Sequence, residues 1–253
     1  MSAPDVGTLD FLVRAAREFR RGGWVFTGFH WPVLAGQLAH HLPGAPFTQA
    51  FEAGATTHGP GRLVPTSTTD YPAYGNALGY AADTASVLLA MARRFDRVVL
   101  DAGTVDLRGC VNSSVVGEHR RPTVRLPGGG GAPDVAAAAR ELVWLHGGAD
   151  LRRIQARVEH VTAAPGPHTR VRLHTRWGVV RVGADPALEE VADVDGAEEF
   201  AAHLAALGAR TDGAAPRPPV DAAERAAAAA LLREAADRGY AVARRALAEA
   251  AAR

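Results

Sequence analysis

The order of apolar segments predicts an α/β fold, with a mostly parallel sheet and helices on both faces. Three observations carry this expectation. The short runs Trp24–Gly28, Phe47–Phe51 and Arg97–Leu100 are rich in β-branched and aromatic residues and read as buried strands. Between them lie segments of helical period, with Leu9, Leu12, Val13 and Ala16 on one stripe and Leu34 and Leu38 on another. Strands that alternate with helices pair most readily in parallel, because each crossing helix covers a sheet face and returns the chain to the same end.

In order along the chain, Thr8 stands where a helix cap is expected, and Gly22–Gly23 where that helix stops. Pro32 suits the first turn of the next helix, which runs to about His40. The strand Phe47–Phe51 leads into Glu52-Ala-Gly54. Residues 55–80 are rich in Gly, Pro, Thr and Tyr without period and read as loops. Asp83 is placed to cap a helix holding Val87, Leu88 and Met91. The strand at 97–100 is followed by an Asp-x-x-Gly turn at Asp106, a strand from Val111 to Val115 and four glycines, with a helix starting near Pro133. Residues 136–145 read as helical, stopping at Gly147–Gly148, and 157–162 and 170–182 as strands. The Pro-rich stretch 211–220 reads as a stiff linker. Residues 221–253, almost all Ala, Arg, Glu and Leu, have high helix propensity. Their apolar face is mostly alanine, which buries little area, so a peripheral helix or partner contact is expected. The domain reading is therefore an α/β domain over 1–210, a linker over 211–220 and a helical appendage over 221–253.

At 253 residues the chain is long enough to bury a substantial core. Its 28 basic and 27 acidic side chains give no electrostatic reason to expect nucleic acid or an anionic membrane. The single cysteine, Cys110, excludes an intramolecular disulfide and a Cys-based zinc site. Met-Ser-Ala-Pro-Asp at the N-terminus lacks a basic segment followed by an apolar one, so no signal peptide is expected. No run of about eighteen apolar residues suggests a membrane span. The expectation is a cytoplasmic protein with no resident metal or cofactor.

The chemistry concentrates in two places. Gly128, Gly129, Gly130 and Gly131 lie between Pro127 and Ala132 and leave their backbone amides bare of side chains. Just before a helix, such amides are placed to hold developing negative charge. Glu52 ends an apolar strand and is followed by small Ala53 and Gly54. A carboxylate acts as a nucleophile only when it is positioned and partly desolvated on a rigid element, and that setting meets the need.

Taken together, the chain resembles the class I coenzyme A transferases, specifically beta subunits of the glutaconate CoA-transferase type. The resemblance runs through Arg17 to Gly28, Trp31 to Gly36 and Phe51-Glu-Ala-Gly54. It is densest at Val105-Asp-Leu-Arg-Gly-Cys-Val-Asn-Ser-Ser114, Gly117-Glu-His-Arg-Arg-Pro122 and Pro127-Gly-Gly-Gly-Gly-Ala132, with weaker echoes at 157–162 and 175–180. It spans roughly residues 10–185 and is specific through the order and spacing of these motifs. It implies that Glu52 attacks an acyl-CoA thioester to give an acyl-glutamyl anhydride, which the CoA thiolate opens to a glutamyl-CoA thioester. A second carboxylate then reverses the sequence. The coenzyme A thioester is a substrate, and no cofactor is bound permanently. The resemblance also implies a separate alpha-type partner, the pair commonly doubled into a heterotetramer. Family members commonly carry Gln at the position of Thr104 and Asn at that of Cys110, and a longer stretch between Thr162 and Arg170.

Two other readings stay open: an acyl-CoA or carbon–carbon hydrolase on the same scaffold with Glu52 as general base, and a non-catalytic subunit that completes its partner. Asp106, Arg108 and Asn112 are expected to organise their turn in support of the site. His119, Arg120 and Arg121 read as a solvated basic turn rather than a phosphate contact. His40 and His41 have no spacing that suggests a metal. Tyr71, Tyr74 and Tyr80 read equally as acyl-pocket residues or loop anchors.

Overall fold

A computed structural model describes residues 5–251, so Met1–Pro4, part of the N-terminal reading, lie outside the described residues, as do 252 and 253. The elements in chain order are α1 (Val6–Phe19), β1 (Gly23–Thr27), α2 (Trp31–Ala39), β2 (Phe47–Phe51), β3 (Ala55–Thr57), α3 (Tyr71–Tyr74), β4 (Leu78–Ala81) and β5 (Arg97–Asp101). Then come β6 (Thr104–Asp106), β7 (Val111–Asn112), β8 (Val115–Val116), β9 (Val124–Arg125), α4 (Ala132–Ala138), β10 (Glu141–His146) and β11 (Ile154–Gln155). The chain closes with β12 (Arg170–Thr175), β13 (Gly178–Val182), β14 (Ala187–Val191), α5 (Ala197–Ala206), β15 (Ala215–Pro216), α6 (Ala222–Asp237) and α7 (Ala241–Ala251). Among the described residues no helix is long and apolar enough to cross a membrane.

Two compact units result, one ending at Asp101 and resuming at Pro218, the other spanning 102–217. The sequence reading of one domain over 1–210 with an appendage does not follow this division.

In the first unit β5, β1 and β2 pair in parallel, with Thr27 opposite both Phe51 and Val99, and β3 and β4 continue the sheet antiparallel. The β3–β4 pair corrects the expectation of loops throughout 55–80: strand pairing, not local period, orders these short segments. Helix α1 is capped by Asp5 rather than Thr8: the Asp5 carboxylate accepts both the Gly7 amide, at 2.9 Å, and the Thr8 hydroxyl, at 2.7 Å. Phe11, Leu12, Phe19, Phe26, Leu34 and Phe51 are buried at the centre of this unit. Asp83 caps its segment through Ser86, but residues 86–90 wind as a wide π-type turn instead of a regular helix.

The C-terminal segment is two helices, broken at Gly239 with φ +98°, and it belongs to the first unit. Its alanine face lets α6 approach closely, burying Ala228, Leu232, Ala235 and Ala236. Charge pairs hold it there. Glu224 accepts Arg17 at 2.6 Å, and Arg225 donates twice to the buried carboxylate of Asp10, at 2.6 and 3.0 Å. Beyond α6, Arg238 reaches Asp70 at 2.9 Å and Val64 O at 2.6 Å, and the Tyr240 hydroxyl donates to Pro65 O. The weak drive of an alanine face is thus offset by ion pairs between residues some two hundred positions apart, which no local pattern reveals.

His40 stacks on Phe47 at 4.4 Å. Burial, reinforced by the positive charges of His41 and Arg20, lowers its pKa from 6.5 to about 4. Because the folded state resists protonation, the stabilising effect of the neutral ring is complete above pH 6.5 and is lost as pH falls toward 4. The expected loss is roughly 2–3 kcal/mol. Denaturant unfolding of the wild type and His40→Gln across this range checks it: the difference between the two stabilities should shrink by that amount on acidification.

In the second unit β10 and β12 pair in parallel along six residues, β13 and β14 follow antiparallel, and β15 joins β14 in parallel. Strand β10 corrects the helix expected over 136–145. Helix α4 stops at Ala138, and Glu141–His146 is buried along its whole length, as a strand covered on both faces must be. Trp144 anchors it, its indole N–H donating to Gly109 O at 3.0 Å. Of the strand expected over 157–162 there is only a bridge from Val111 to neighbouring Ala163. The stretch 211–220 is not a free linker, since β15 takes up the sheet and Arg217 N donates to Val191 O at 2.8 Å. The three-stranded sheet β11-β6-β7 and the β8–β9 hairpin complete this unit.

Candidate active site

In the first unit the in-register parallel strands β5, β1 and β2 bring their carboxyl ends to one edge, and parallel α/β sheets bind ligands there. Glu52 is the first residue past β2. It opens the turn that reverses into β3 and is half-buried. Gly54 closes the turn at φ +105°. Its amide donates to Phe51 O at 3.0 Å and its carbonyl accepts Ala82 N at 2.9 Å. Beneath the turn, the Phe51 ring stacks on Tyr74 at 4.9 Å, and the Tyr74 hydroxyl donates to Thr68 O at 2.9 Å. Of the three tyrosines, Tyr74 is a buried loop anchor, while Tyr71 and Tyr80 are largely exposed.

The same edge carries two residues that the sequence reading passed over. His30 follows β1, and its Nδ1 lies 3.2 Å from Oδ2 of Asp101, the last residue of β5. A histidine between a strand and a Pro-started helix was the available signal.

The second unit holds the other sequence-predicted residues. Asp106 is 1% exposed. One of its oxygens accepts Arg108 N and Cys110 N, each at 2.9 Å, and the other accepts Val158 N at 3.1 Å. Asn112 closes the next turn: Nδ2 donates to Val115 O at 2.7 Å and Oδ1 accepts from Ser114 N and Val115 N. Arg108 takes part in this network through its backbone amide. Removing the Asp106 carboxylate would strand its backbone donors, so Asp106→Ala is expected to lose about 3 kcal/mol in denaturant unfolding. Burial, and then the Asp106 carboxylate, pushes the Cys110 thiol up, which disfavours its thiolate.

The glycine loop lies before α4. Gly128, φ +95°, donates its amide to Ser113 O at 2.8 Å, and Ala132 N donates to Gly129 O at 2.9 Å. Among the described residues, the amides of Gly129, Gly130 and Gly131 donate to no protein group. Thr162 holds the neighbouring segment, its hydroxyl 3.0 Å from Ser113 N and 2.6 Å from Ser114 Oγ. The seven-residue α4, with Pro133 in its first turn, is too short to add much dipole, so any charge stabilisation here would come from the amides themselves. An open cavity of about 300 Å³ lies in the same unit, lined by Thr104, Asn112, Val115, Arg152 and Arg153.

Glu52 and Gly54 thus belong to the first unit, and Asp106, Asn112 and Gly128–Gly131 to the second. His119, Arg120 and Arg121 are exposed, the His119 ring stacking on His160 at 4.5 Å. Among the described residues no three His, Cys, Asp or Glu side chains cluster as metal ligands would.

No family model matches the chain. It is 31% identical over 142 residues to the B subunit of 3-oxoadipate CoA-transferase from Pseudomonas knackmussii, a match that takes in 53% of the chain and 51% of that relative. The chain thus spans about half the length of the curated relative it matches. The structure superposes on the decarboxylase AibA/AibB with a TM-score of 0.72 at 22% identity, over 89% of this chain and 94% of that one. On glutaconate coenzyme A-transferase from Acidaminococcus fermentans the TM-score is 0.71 at 16% identity, over 95% and 98%. The chain has the α/β fold of these solved structures, and over about half its length it is similar in sequence to the B subunit of a CoA-transferase.

Proposed function

We propose that this chain is the beta-type subunit of a CoA-transferase, which moves coenzyme A from an acyl-CoA to a free carboxylic acid through a glutamyl-CoA thioester on Glu52. The observation that carries this reading is the place of Glu52: half-buried, one residue past β2, at the carboxyl edge of parallel strands, on a turn locked by Gly54. A carboxylate held there need not be ordered again at each turnover. The free amides of Gly129, Gly130 and Gly131 are the groups we expect to hold an oxyanion or contact coenzyme A, and Asp106 and Asn112 hold the turns of their unit. Exchange of one thioester for another is close to thermoneutral, so no nucleotide is needed. The matched relative is itself the B subunit of its enzyme, which supports an alpha-type partner, and we expect a heterotetramer of two such pairs. Balanced charge and a single cysteine support a cytoplasmic setting.

The test is to co-express the chain with its alpha-type partner, incubate the complex with succinyl-CoA, glutaryl-CoA or acetoacetyl-CoA, and map peptides by mass. Coenzyme A on the Glu52 peptide, discharged by a free carboxylic acid, is the expected result. Release of free coenzyme A with no trappable adduct would replace transfer by hydrolysis, with Glu52 activating water.

A further inference from the structure

His30 is the only non-glycine residue with positive φ among the described residues. Its angles, φ 63° and ψ −121°, are those of the first central residue of a type II′ turn, a place that glycine takes without strain and a Cβ resists. A glycine at this position would serve the chain path better, so the fold itself does not call for an imidazole. Strain of this kind gathers where a side chain is needed for something other than stability.

The surroundings say what the side chain is set up to do. Gly28 keeps the chain close to β5, its amide donating to Val99 O at 2.9 Å, and a Cβ there would stand 2.8 Å from Leu100 Cδ2. His30 therefore turns back over the end of β5 and meets Asp101 at 3.2 Å, and the two side chains remain 37% and 28% exposed. An ionised carboxylate only accepts, so Nδ1 carries the hydrogen of that bond and Nε2 is left for proton exchange. The Phe29 ring packs against the imidazole at 4.4 Å. Strand β1 lies between β5 and β2, and Gly28 and Glu52, the first residues past β1 and β2, leave the sheet about 5 Å apart; His30 lies two residues beyond Gly28, on the β5 side of the same edge.

We infer that His30, oriented by Asp101, is a further functional residue of the Glu52 site, exchanging a proton with the sulfur of coenzyme A; this rests on the CoA-transfer reading above. As a Glu52 oxygen bonds to the thioester carbonyl carbon, the carbon–sulfur bond breaks and the sulfur leaves with its electron pair. The imidazolium gives its Nε2 proton to that thiolate. On return, the imidazole takes the proton back, the sulfur attacks the glutamyl carbonyl of the anhydride, and the carbon–oxygen bond opens to free the substrate carboxylate. No oxidant or reductant is involved.

His30→Gly in the co-expressed complex tests this, because it relieves the backbone while removing the imidazole. The expected result is a melting temperature equal to or above that of the wild type. The rate of coenzyme A loading onto Glu52 from succinyl-CoA should fall on the order of 10²-fold, and added imidazole should restore part of it. Loading at the wild-type rate would overturn the role, as would a lower melting temperature with loss that imidazole does not repair. A wild-type complex that never loads Glu52 overturns the CoA-transfer reading and this role with it, whereas wild-type loading with an unaffected variant overturns the role alone.

Discussion

Glu52→Gln, assembled with the alpha-type partner, is expected to lose transfer activity by roughly 10³-fold or more, the scale on which removal of a covalent nucleophile acts. The amide matches the carboxylate in shape but cannot open a thioester, so no coenzyme A should be recovered on the peptide carrying position 52. Stability should move little. Among the described residues the Glu52 carboxylate makes no hydrogen bond or ion pair, so the near-isosteric amide breaks no such contact and a change within about 0.5 kcal/mol is expected. Glu52→Asp makes a sharper comparison. It keeps the charge but draws the carboxylate back by one methylene, and a displacement of about 1 Å at a reacting atom can cost 10²-fold. Steady-state transfer between succinyl-CoA and a free acid, read together with the peptide map, checks both variants. Full activity in Glu52→Gln would leave this chain as a scaffold that completes its partner.

Elements that declare themselves locally were legible in the sequence. The strands at 24–28, 47–51 and 97–100 stand out because each is a short apolar run between turn residues, and the parallel arrangement followed from their alternation with helices. The position of Glu52 past β2 could be read for the same reason. What was not legible depends on partners far away in the chain. Residues 141–146 continue from an alanine-rich helix, and only pairing with β12 makes them a strand. The β3–β4 pair hides in a stretch whose prolines and glycines suggest loops throughout. The docking of α6 rests on Asp10, Arg17, Glu224 and Arg225, four charges that look like ordinary surface residues until the fold joins them. His30 escaped notice for a subtler reason: glycine is what signals a left-handed turn, and here the turn carries an imidazole. In the glycine loop the bare backbone was evident, but not that the first amide is already engaged by Ser113 and that only the next three are free.

Gly54→Ala is expected to damage the fold severely. The new Cβ would stand 2.0 Å from Ala82 O and 2.5 Å from Ala82 C, both backbone atoms that cannot swing aside as a flexible side chain would. Positive φ alone costs an alanine about 1 kcal/mol. Moving the end of β4 to relieve the contact would break the Ala82–Gly54 hydrogen bond and add about 2–3 kcal/mol more. A total of about 3–4 kcal/mol is a large share of the roughly 5–15 kcal/mol that ordinarily separates folded from unfolded chains. Any folded fraction would present Glu52 on a displaced turn, so loading of coenzyme A should fall further than the folded fraction does. Gly128→Ala separates the two causes. Gly128 also has positive φ, +95°, but nothing lies within 4 Å of its Cβ position, so only the backbone term applies and about 1 kcal/mol is expected. Denaturant midpoints measured side by side should place Gly54→Ala well below Gly128→Ala. Equal midpoints would mean that the β4 end yields freely, and the rigid support assigned to Glu52 would then have to come from elsewhere in the turn.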